Sequence, residues 1–413
     1  MKYGLIAEHL GHSFSKEIHA RLADYDYELH EIPRGGLDAF MTARDFSAIN
    51  VTIPYKEDVI PYLDHIDEKA KLIGAVNTIV NRDGILYGYN TDFFGMSALI
   101  NYMGLDISCK KVLIAGTGGT SKTAVAVSKS SGASAVYRMS RSGRDGALTY
   151  EEAYASHADA EIIINTTPSG MFPKCEDIPL DLSRFPGLCG VVDAIYNPLR
   201  SNLILEARER GIVAEGGLYM LVAQAVAAVE IFLGKKFDGN VTEEVYLDIL
   251  REKENIVLIG MPGCGKSTIG RRLAAEMGRK FYDLDEEIVK ESGRSIPEIF
   301  ANDGEKAFRD IESEVLMKNL ADLGGAVIAT GGGAILREEN LKRLRRNGRL
   351  YFLNRPLSQL LPTPDRPLAS SAEAIEARYR ERLPKYLAAA DVELVTDGIV
   401  EHAIADIRKE FSK

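Results

Sequence analysis

The sequence predicts an α/β protein with two or three domains. Apolar runs typical of buried strands alternate with segments typical of helices along the whole chain. A glycine-rich turn at 116–121 joins two strand-like runs through a helical segment, and a second one at 260–267 lies between a strand-like run and a helical segment. Parallel strands covered by helices on both faces give such patterns. The length of 413 residues leaves room for more than one domain.

The composition is that of an ordinary globular protein and excludes several functional classes. Hydrophobic residues make up 46% and charged residues 27% of the chain, and its net charge is −10. No basic stripe or tail is present, so we expect no nucleic-acid partner. The four cysteines form no C-x-x-C pair and the first residues lack a signal-peptide pattern. We therefore expect a cytoplasmic protein without a zinc site, a disulfide framework or a membrane segment.

The chain opens with a strand predicted from Lys2 to Ala7, followed by a loop and a helix that starts near Lys16. Ser13 and Ser15 lie one residue apart at that helix start. Two hydroxyls in this position are consistent with a plain helix cap. They can also bind a polar ligand, but on their own the two residues favour the helix cap.

Polar residues then recur in or directly after three apolar, strand-like runs, at 50–56, 74–78 and 88–95. They include Lys56, Asn77, Asn90 and Asp92. A fold ordinarily places apolar residues there, and buried polar groups cost free energy unless they are paired or bind something. Each residue alone is typical of a solvated surface, but their repetition in three consecutive motifs predicts a polar ligand site.

These three motifs, together with the loop at 12–15, resemble the substrate-binding domain of shikimate dehydrogenase. The resemblance implies that Lys56 and Asp92 form the catalytic pair. It also implies that the ring hydroxyls and carboxylate of the substrate are bound by Ser13, Ser15, Thr52, Asn77 and Asn90. The chain departs from the family at Lys16 and Ala20, where a proline and an asparagine are usual.

The first glycine-rich turn contains Gly116, Gly118 and Gly119, with Ser121 where G-x-G-x-x-G has its third glycine. The flanking strand, helix and second strand complete a βαβ unit, as in a Rossmann-like dinucleotide-binding domain. An NAD site would place an acid after the second strand, whereas this chain has Ser140 and Arg141 there. A guanidinium favours a 2′-phosphate, so the sequence predicts NADP(H) as the cofactor.

Two further strand-like runs end in turn residues, at 165–171 and 193–198, and a long apolar helix is predicted after Gly216. The resemblance implies that the cofactor is also bound by Asn165, Thr166, Thr167, Gly217 and Met220. It assigns Gln224, in the long helix, to the substrate. We expect a closing helix capped at Thr242, followed by a charged connector at 251–254.

The second glycine-rich turn, from Gly260 to Ser267, is an unbroken G-x-x-x-x-G-K-[ST] pattern. Its backbone N–H groups can surround a phosphate at a helix N-terminus, Lys266 adds a positive charge and the Ser267 hydroxyl can hold Mg²⁺. The pattern therefore predicts a nucleoside triphosphate site. Its nucleotide-binding residues are Gly263, Cys264, Gly265, Lys266, Ser267 and Thr268.

Beyond this loop, we predict a strand over 281–285 with Asp283 and Asp285 on one side. This strand, the phosphate loop and the segments at 304–309 and 331–333 together resemble shikimate kinase, and the resemblance spans almost all of residues 255–395. The resemblance implies a fold like that of nucleoside-monophosphate kinases, with Asp283 holding Mg²⁺ through water and Asp285 meeting the acceptor hydroxyl. It also implies that the nucleotide is ATP, that the substrate carboxylate is bound by Arg309 and Arg382, and that further ring oxygens are bound by the backbone amides of Gly332 and Gly333. Arg366 would stabilise the charge on the transferring phosphoryl group.

Together these observations favour a bifunctional enzyme that acts on small molecules. We expect a substrate-binding domain over 1–100, with helices returning to it from about 217–250. An NADP domain over 101–250 and a kinase domain over 255–413 complete the chain. Two alternatives stay open: a regulatory protein that carries an inactive kinase-like module sensing shikimate, and a dehydrogenase that acts first on quinate. The sequence does not indicate the oligomeric state.

Overall fold

A computed structural model describes residues 1–11, 13–360 and 371–413. The chain divides into two compact units, Met1–Ile249 and Leu250–Lys413. Three separate sheets flanked by helices lie along it, which confirms the α/β fold class. In the described part of the chain, no helix is both long and apolar enough to cross a membrane.

The first sheet has six strands in the order β2-β1-β3-β5-β6-β4. They are β1 (Tyr3–Ala7), β2 (Tyr27–Glu31), β3 (Ala48–Val51), β4 (His65–Ile66), β5 (Thr78–Arg82) and β6 (Ile85–Tyr89). The β3–β5 and β5–β6 pairs are antiparallel and the others are parallel. The helices of this region are α1 (Ser15–Leu22), α2 (Leu37–Ala43), α3 (Glu68–Ile73) and α4 (Asp92–Tyr102).

The second sheet is fully parallel, in the order β11-β10-β9-β7-β8. Its strands are β7 (Lys111–Ala115), β8 (Ala135–Met139), β9 (Ile162–Asn165), β10 (Gly190–Asp193) and β11 (Val213–Glu215). The helices are α5 (Gly119–Ser130), α6 (Tyr150–Ser156) and α7 (Asn202–Glu209), followed by α8 (Leu218–Leu233) and α9 (Val241–Lys253). The central strands β7 and β9 are almost wholly apolar because helices cover both faces of the sheet.

The third sheet is also parallel, in the order β13-β14-β12-β15-β16. Its strands are β12 (Asn255–Ile259), β13 (Phe281–Asp283), β14 (Val327–Ala329), β15 (Gly348–Asn354) and β16 (Val392–Val395). The helices are α10 (Lys266–Met277), α11 (Leu284–Ser292), α12 (Ile296–Val315), α13 (Glu338–Asn347), α14 (Ala372–Ala389) and α15 (Val400–Phe411). Residues Ile256 to Ile259 of the central strand have no exposed surface.

Two predicted elements are wrong in their bounds. The strand predicted over 281–285 ends at Asp283, whose side chain caps α11 by accepting a hydrogen bond from the backbone N–H of Asp285. Asp285 therefore lies in the first turn of a helix and not on a strand face. The closing helix α9 begins at Val241 and ends at Lys253, so Thr242 is inside it, and most of the expected connector is helical.

Candidate active sites

The first site is centred on an ion pair between Lys56 and Asp92. Lys56 lies in the turn after β3, and Asp92 is the first residue of α4, where the helix dipole favours a negative charge. The Lys56 Nζ atom lies 2.6 Å from Asp92 Oδ2, and the two side chains are 13% and 9% exposed. A lysine held in this way by a carboxylate is able to act as a general acid.

Buried amides surround this pair and hydrogen-bond to one another. The Asn77 side chain accepts a hydrogen bond from the Thr91 backbone N–H at 2.7 Å and donates one to Thr91 Oγ1 at 3.1 Å. Thr91 Oγ1 in turn donates to Gln224 Oε1 at 3.2 Å, which links α4 to α8. Asn90 donates to the carbonyl of Ala75 at 2.9 Å. Thr91 has no exposed surface, and sequence reasoning assigned it no role.

Close helix packing sets the position of Gln224. A β-carbon built at Gly95 of α4 would lie 2.5 Å from the Met220 carbonyl oxygen and 2.9 Å from the Gln224 β-carbon. At the start of α8, a β-carbon at Gly217 would lie 2.3 Å from the Ala194 carbonyl oxygen. The glycines therefore allow α8 to contact both α4 and the turn after β10.

Ser13 and Ser15, at the start of α1, do not form an ordinary helix cap. The residue at the cap position is Phe14, and no side chain caps the helix. Ser13 Oγ accepts a hydrogen bond from the Ser15 backbone N–H at 3.2 Å, and Ser13 is also hydrogen-bonded to Tyr196. Thr52 follows β3 directly, and its backbone N–H donates to the Ile6 carbonyl at 3.0 Å.

The first glycine-rich turn lies directly against the Lys56 side chain. Gly118 immediately precedes α5, and a β-carbon built at Gly119 would lie 3.5 Å from Lys56 Cδ. The missing third glycine has a local explanation. Ser121 is fully buried in α5 and donates a hydrogen bond to the Gly116 carbonyl at 2.7 Å, which fixes the turn.

The residues predicted to select NADP(H) follow β8. Arg141 and Arg144 are exposed, and Arg144 Nε donates to Ser142 Oγ at 3.1 Å. The Ser140 hydroxyl is buried and has no hydrogen-bond partner among the described residues. Exposed guanidinium groups such as these are able to bind a phosphate.

The turn at Asn165–Thr167 is tied to a buried carboxylate. Asn165 Oδ1 accepts hydrogen bonds from the Thr167 backbone N–H and hydroxyl, at 3.0 and 2.8 Å. The other end of the amide donates to Asp193 Oδ1 at 3.0 Å. Burial raises the pKa of Asp193 to about 6, although its hydrogen bonds act in the opposite direction. Sequence reasoning noted the motif that begins at Asp193 but gave this residue no role.

The second site, in the other unit, begins with the loop after β12. Gly265 has a φ of +101° and precedes α10, so a residue with a side chain would be strained there. Lys266 is 7% exposed and its Nζ atom donates to the Gly260 and Met261 carbonyls at 2.8 and 3.0 Å. Gly263 and the buried Cys264 complete the loop, and Thr268 is exposed in the first turn of α10.

Ser267 and Asp283 meet beside this loop, where Ser267 Oγ donates to Asp283 Oδ2 at 2.6 Å. A hydroxyl and a carboxylate are oxygen ligands of the kind Mg²⁺ prefers. Within the described residues, no group of three or more His, Cys, Asp or Glu side chains could hold a metal ion. Mg²⁺ in nucleotide sites commonly uses only one or two protein ligands, so the pair fits that cation.

Arg309 and Arg382 converge on the glycine run at 331–333. A β-carbon built at Gly333 would lie 2.3 Å from Arg309 Nη2, and Arg382 Nη1 donates to the Gly332 carbonyl at 2.9 Å. A β-carbon at Gly332 would also lie 2.8 Å from Pro262 Cδ in the phosphate loop. The arginines, the glycine run and the phosphate loop therefore form one site.

Acidic residues balance this positive charge. Glu312, one turn after Arg309 in α12, is fully buried and its Oε2 accepts a hydrogen bond from Arg309 Nη1 at 2.7 Å. Burial raises the pKa of Glu312, and Arg309 opposes that effect. A β-carbon at Gly331 would lie 2.9 Å from Asp285 Oδ1, so Asp285 also faces the glycine run. Glu312 was missed by sequence reasoning. Arg366, assigned to the phosphoryl group, lies outside the described residues.

Comparisons with known proteins match both halves of the chain. The family model of the shikimate dehydrogenase substrate-binding domain matches residues 5–79, and that of shikimate kinase matches residues 262–411. A shikimate dehydrogenase (NADP(+)) of Clostridium beijerinckii is 35% identical over 261 residues, which are 59% of this chain and 96% of that protein.

Solved structures similar to the first unit also include shikimate dehydrogenases. Shikimate dehydrogenase 1 from Peptoclostridium difficile has 35% identity and a TM-score of 0.57, over 60% of this chain and 98% of its own. The Thermus thermophilus shikimate 5-dehydrogenase in complex with NADP(H) and shikimate has 26% identity and a TM-score of 0.53, over 60% and 98% of the two chains. The chain therefore belongs to the shikimate dehydrogenase family and carries a shikimate kinase family domain in its C-terminal part.

Proposed function

We propose that this protein catalyses two successive reactions: NADPH-dependent reduction of 3-dehydroshikimate to shikimate, then ATP-dependent phosphorylation of shikimate to shikimate 3-phosphate. For the first reaction, the main support is the 2.6 Å Lys56–Asp92 pair beside the Gly119 turn. For the second, it is the approach of Arg309 and Arg382 to a glycine run that contacts the phosphate loop.

In the first reaction, NADPH supplies the hydride to the C3 carbonyl. Lys56 supplies the proton to the oxygen, and Asp92 holds the ammonium group in place. Acid–base assistance of this kind contributes about 10²- to 10⁴-fold to a rate. The low exposure of both side chains supports this role, because water competes little for the proton at a nearly buried pair.

The ring of the substrate is bound by the polar groups around this pair. We assign hydrogen bonds with the carboxylate and hydroxyls to Ser13, Ser15, Thr52, Asn77, Asn90 and Gln224. The buried hydrogen bonds of Thr91 with Asn77 and Gln224 orient those two amides before substrate arrives. Such preorganisation lowers the entropic cost of binding.

The cofactor is held at the carboxyl ends of the second sheet. The backbone of the turn at 116–119 approaches the pyrophosphate, and Ser140 with Arg141 holds the 2′-phosphate. The turn at Asn165–Thr167 and the start of α8 at Gly217 and Met220 enclose the nicotinamide side. A crevice at the carboxyl ends of parallel strands is the usual dinucleotide site of such folds.

In the second reaction, ATP with Mg²⁺ supplies the phosphoryl group, and Mg²⁺ neutralises its charge. Ser267 and Asp283 hold the cation, and Lys266 and the loop amides at 263–268 hold the phosphates. Arg309 and Arg382 bind the shikimate carboxylate, with further ring oxygens on the Gly332 and Gly333 amides. Asp285 orients the attacking hydroxyl. A planar guanidinium matches a carboxylate bidentately, which supports the assignment of the arginines. We assign Arg366 to the transferring phosphoryl group by resemblance alone.

A single coupled assay tests the proposal. Purified protein with 3-dehydroshikimate, NADPH, ATP and Mg²⁺ should yield shikimate 3-phosphate by mass spectrometry. Lys56→Ala should abolish NADPH oxidation while phosphorylation of added shikimate stays near wild type. Lys266→Ala should have the opposite effect. Loss of both activities in either folded variant would contradict two independent sites.

Two alternatives give different results in the same assay. A regulatory protein with an inactive kinase-like module would bind shikimate but show no ATP turnover that depends on it. The intact Lys266, Ser267, Asp283 and Arg309 argue against that alternative. If quinate is the first substrate, the kcat/KM for oxidation of quinate would be higher than the kcat/KM for oxidation of shikimate.

A further inference from the structure

Asp193 is a buried carboxylate to which the reaction described above gives no role. It is the last residue of β10, has no exposed surface and accepts three hydrogen bonds. The donors are Asn165 Nδ2 at 3.0 Å, the Ile195 backbone N–H at 3.0 Å and Ser201 Oγ at 2.5 Å. They come from the end of β9, the turn after β10 and the residue before α7.

The bond to Asn165 determines which way that amide points. A side-chain amide has a donor end and an acceptor end of nearly the same shape. Asp193 is an acceptor, so the NH₂ of Asn165 faces it and the carbonyl oxygen faces Thr167. That oxygen accepts the backbone N–H and the hydroxyl of Thr167 at 3.0 and 2.8 Å, which closes the Asn165–Thr167 turn.

The Asn165–Thr167 turn packs directly on the glycine turn after β7. Thr166 Oγ1 donates to the Ala115 carbonyl at 2.6 Å. A β-carbon built at Gly116 would lie only 2.4 Å from the same Thr166 oxygen, so no space separates the two turns. A displacement of Asn165 or Thr167 therefore moves the backbone that we assign to the pyrophosphate.

We propose that Asp193 is a positioning residue for the cofactor, which fixes the Asn165 amide and through it the turn that encloses the nicotinamide side of NADP(H). This inference rests on the proposed dehydrogenase function. Asp193 acts through Asn165 and does not touch the cofactor. Its other two bonds, from the Ile195 backbone N–H and the Ser201 hydroxyl, attach the same carboxylate to the turn after β10 and to the residue before α7.

Asp193→Asn in the full chain tests the inference, with NADPH oxidation by 3-dehydroshikimate as the assay. In one orientation of the new amide, its neutral oxygen accepts the Asn165 NH₂ less strongly than the carboxylate does, while its NH₂ faces the Ser201 hydroxyl. In the other orientation, two NH₂ groups face each other and the link to Asn165 is lost. We expect the KM for NADPH to rise at least tenfold while the KM for 3-dehydroshikimate changes less than twofold. A residue needed only for folding would lower thermal stability without this separation of the two KM values.

Ser201→Ala is the matched control, because it removes another hydrogen bond of the same carboxylate and leaves the Asn165 bond in place. We expect lower thermal stability and a wild-type KM for NADPH. An inactive wild-type protein would refute the proposed function itself. If the wild type is active and the KM for NADPH is unchanged in Asp193→Asn, only the inference is refuted. The inference is also refuted if Ser201→Ala raises the KM for NADPH as much as Asp193→Asn does.

Asn165→Ala covers the case in which Asp193→Asn does not fold. It breaks the same link from the other end and keeps the Ile195 and Ser201 bonds to Asp193. We expect the same selective rise in the NADPH KM. A wild-type value in this variant would overturn the inference without any data from Asp193→Asn.

Discussion

Gly333→Ala tests the proposed shikimate site of the kinase family domain without removing a charged group. Gly333 has φ and ψ of −122° and 2°, which other residues can adopt, so the backbone tolerates alanine. The new β-carbon would lie 2.3 Å from Arg309 Nη2 and 2.4 Å from its Cζ. The guanidinium is the far end of a flexible side chain, so it should move aside while the fold is retained.

The expected loss follows from the contact that Arg309 makes in the proposed complex. A hydrogen bond to a charged group contributes about 1.5–3 kcal/mol, and each 1.4 kcal/mol is about tenfold in affinity. We therefore expect the KM for shikimate in the kinase reaction to rise about 10- to 100-fold. The KM for ATP and the rate of NADPH oxidation should stay within about twofold of wild type.

Gly332→Ala is the neighbouring comparison. Its β-carbon would lie 2.8 Å from Pro262 Cδ, so it should disturb the phosphate loop and raise the KM for ATP more than that for shikimate. Initial rates at varied shikimate and varied ATP separate the two effects. A folded Gly333→Ala protein with a wild-type KM for shikimate would show that Arg309 does not bind the acid.

Three further predictions concern other parts of the molecule. Arg141→Ala should reduce the ratio of kcat/KM for NADPH to that for NADH about tenfold, since a phosphate contact is lost; an unchanged ratio contradicts the 2′-phosphate assignment. Ser267→Ala should raise the Mg²⁺ concentration needed for half-maximal kinase rate, with dehydrogenase rate as the internal control; an unaltered Mg²⁺ requirement contradicts the assigned ligand. The pKa of Asp193 is about 6 in the folded protein and 3.8 ordinarily. Its contribution to the free energy of unfolding is therefore fully present below pH 3.8 and is lost as the pH rises through 6, a decrease of about 3 kcal/mol. Thermal denaturation between pH 4 and pH 7 should show this loss in wild type and not in Asp193→Asn, and equal pH dependence in both proteins would contradict it.

The parts of the fold that sequence predicted well depend on short-range patterns. The run at 256–259, the glycine loop and α10 are adjacent in the chain, and their periodicity and turn residues are sufficient to predict strand, loop and helix. The same holds for β7, the turn at 116–119 and α5. The confirmed α/β class follows from the repetition of such units.

The ends of strands and helices were harder to predict, because capping side chains determine where a helix begins. Asp283 and Asp285 alternate as strand residues do, yet the Asp283 side chain accepts the Asp285 N–H and starts a helix. An aspartate at the end of a strand can either continue the strand or cap the next helix, and the local pattern is the same in both cases. Thr242 shows the reverse error, since a residue with cap chemistry lies inside α9.

The buried acids were missed because their partners are distant in the chain or carry no fixed spacing. Asp193 is bonded to Asn165, 28 residues earlier, and its environment exists only once β9 and β10 pair. Glu312 follows Arg309 by three residues, a spacing that also occurs in ordinary surface ion pairs of helices. Only the complete burial of Glu312 distinguishes it from those, and burial is a property of the folded chain.

The crossing of α4 and α8 at Gly95 has a consequence for how this enzyme can change by mutation. The helix axes are close because position 95 has no side chain. That separation sets the distance between Thr91, which directly precedes α4, and Gln224 on α8. Any larger residue at 95 would separate the two helices and widen the pocket that we assign to the substrate. Selection for bulkier ring acids should therefore recover substitutions at this internal helix contact as well as in the pocket wall.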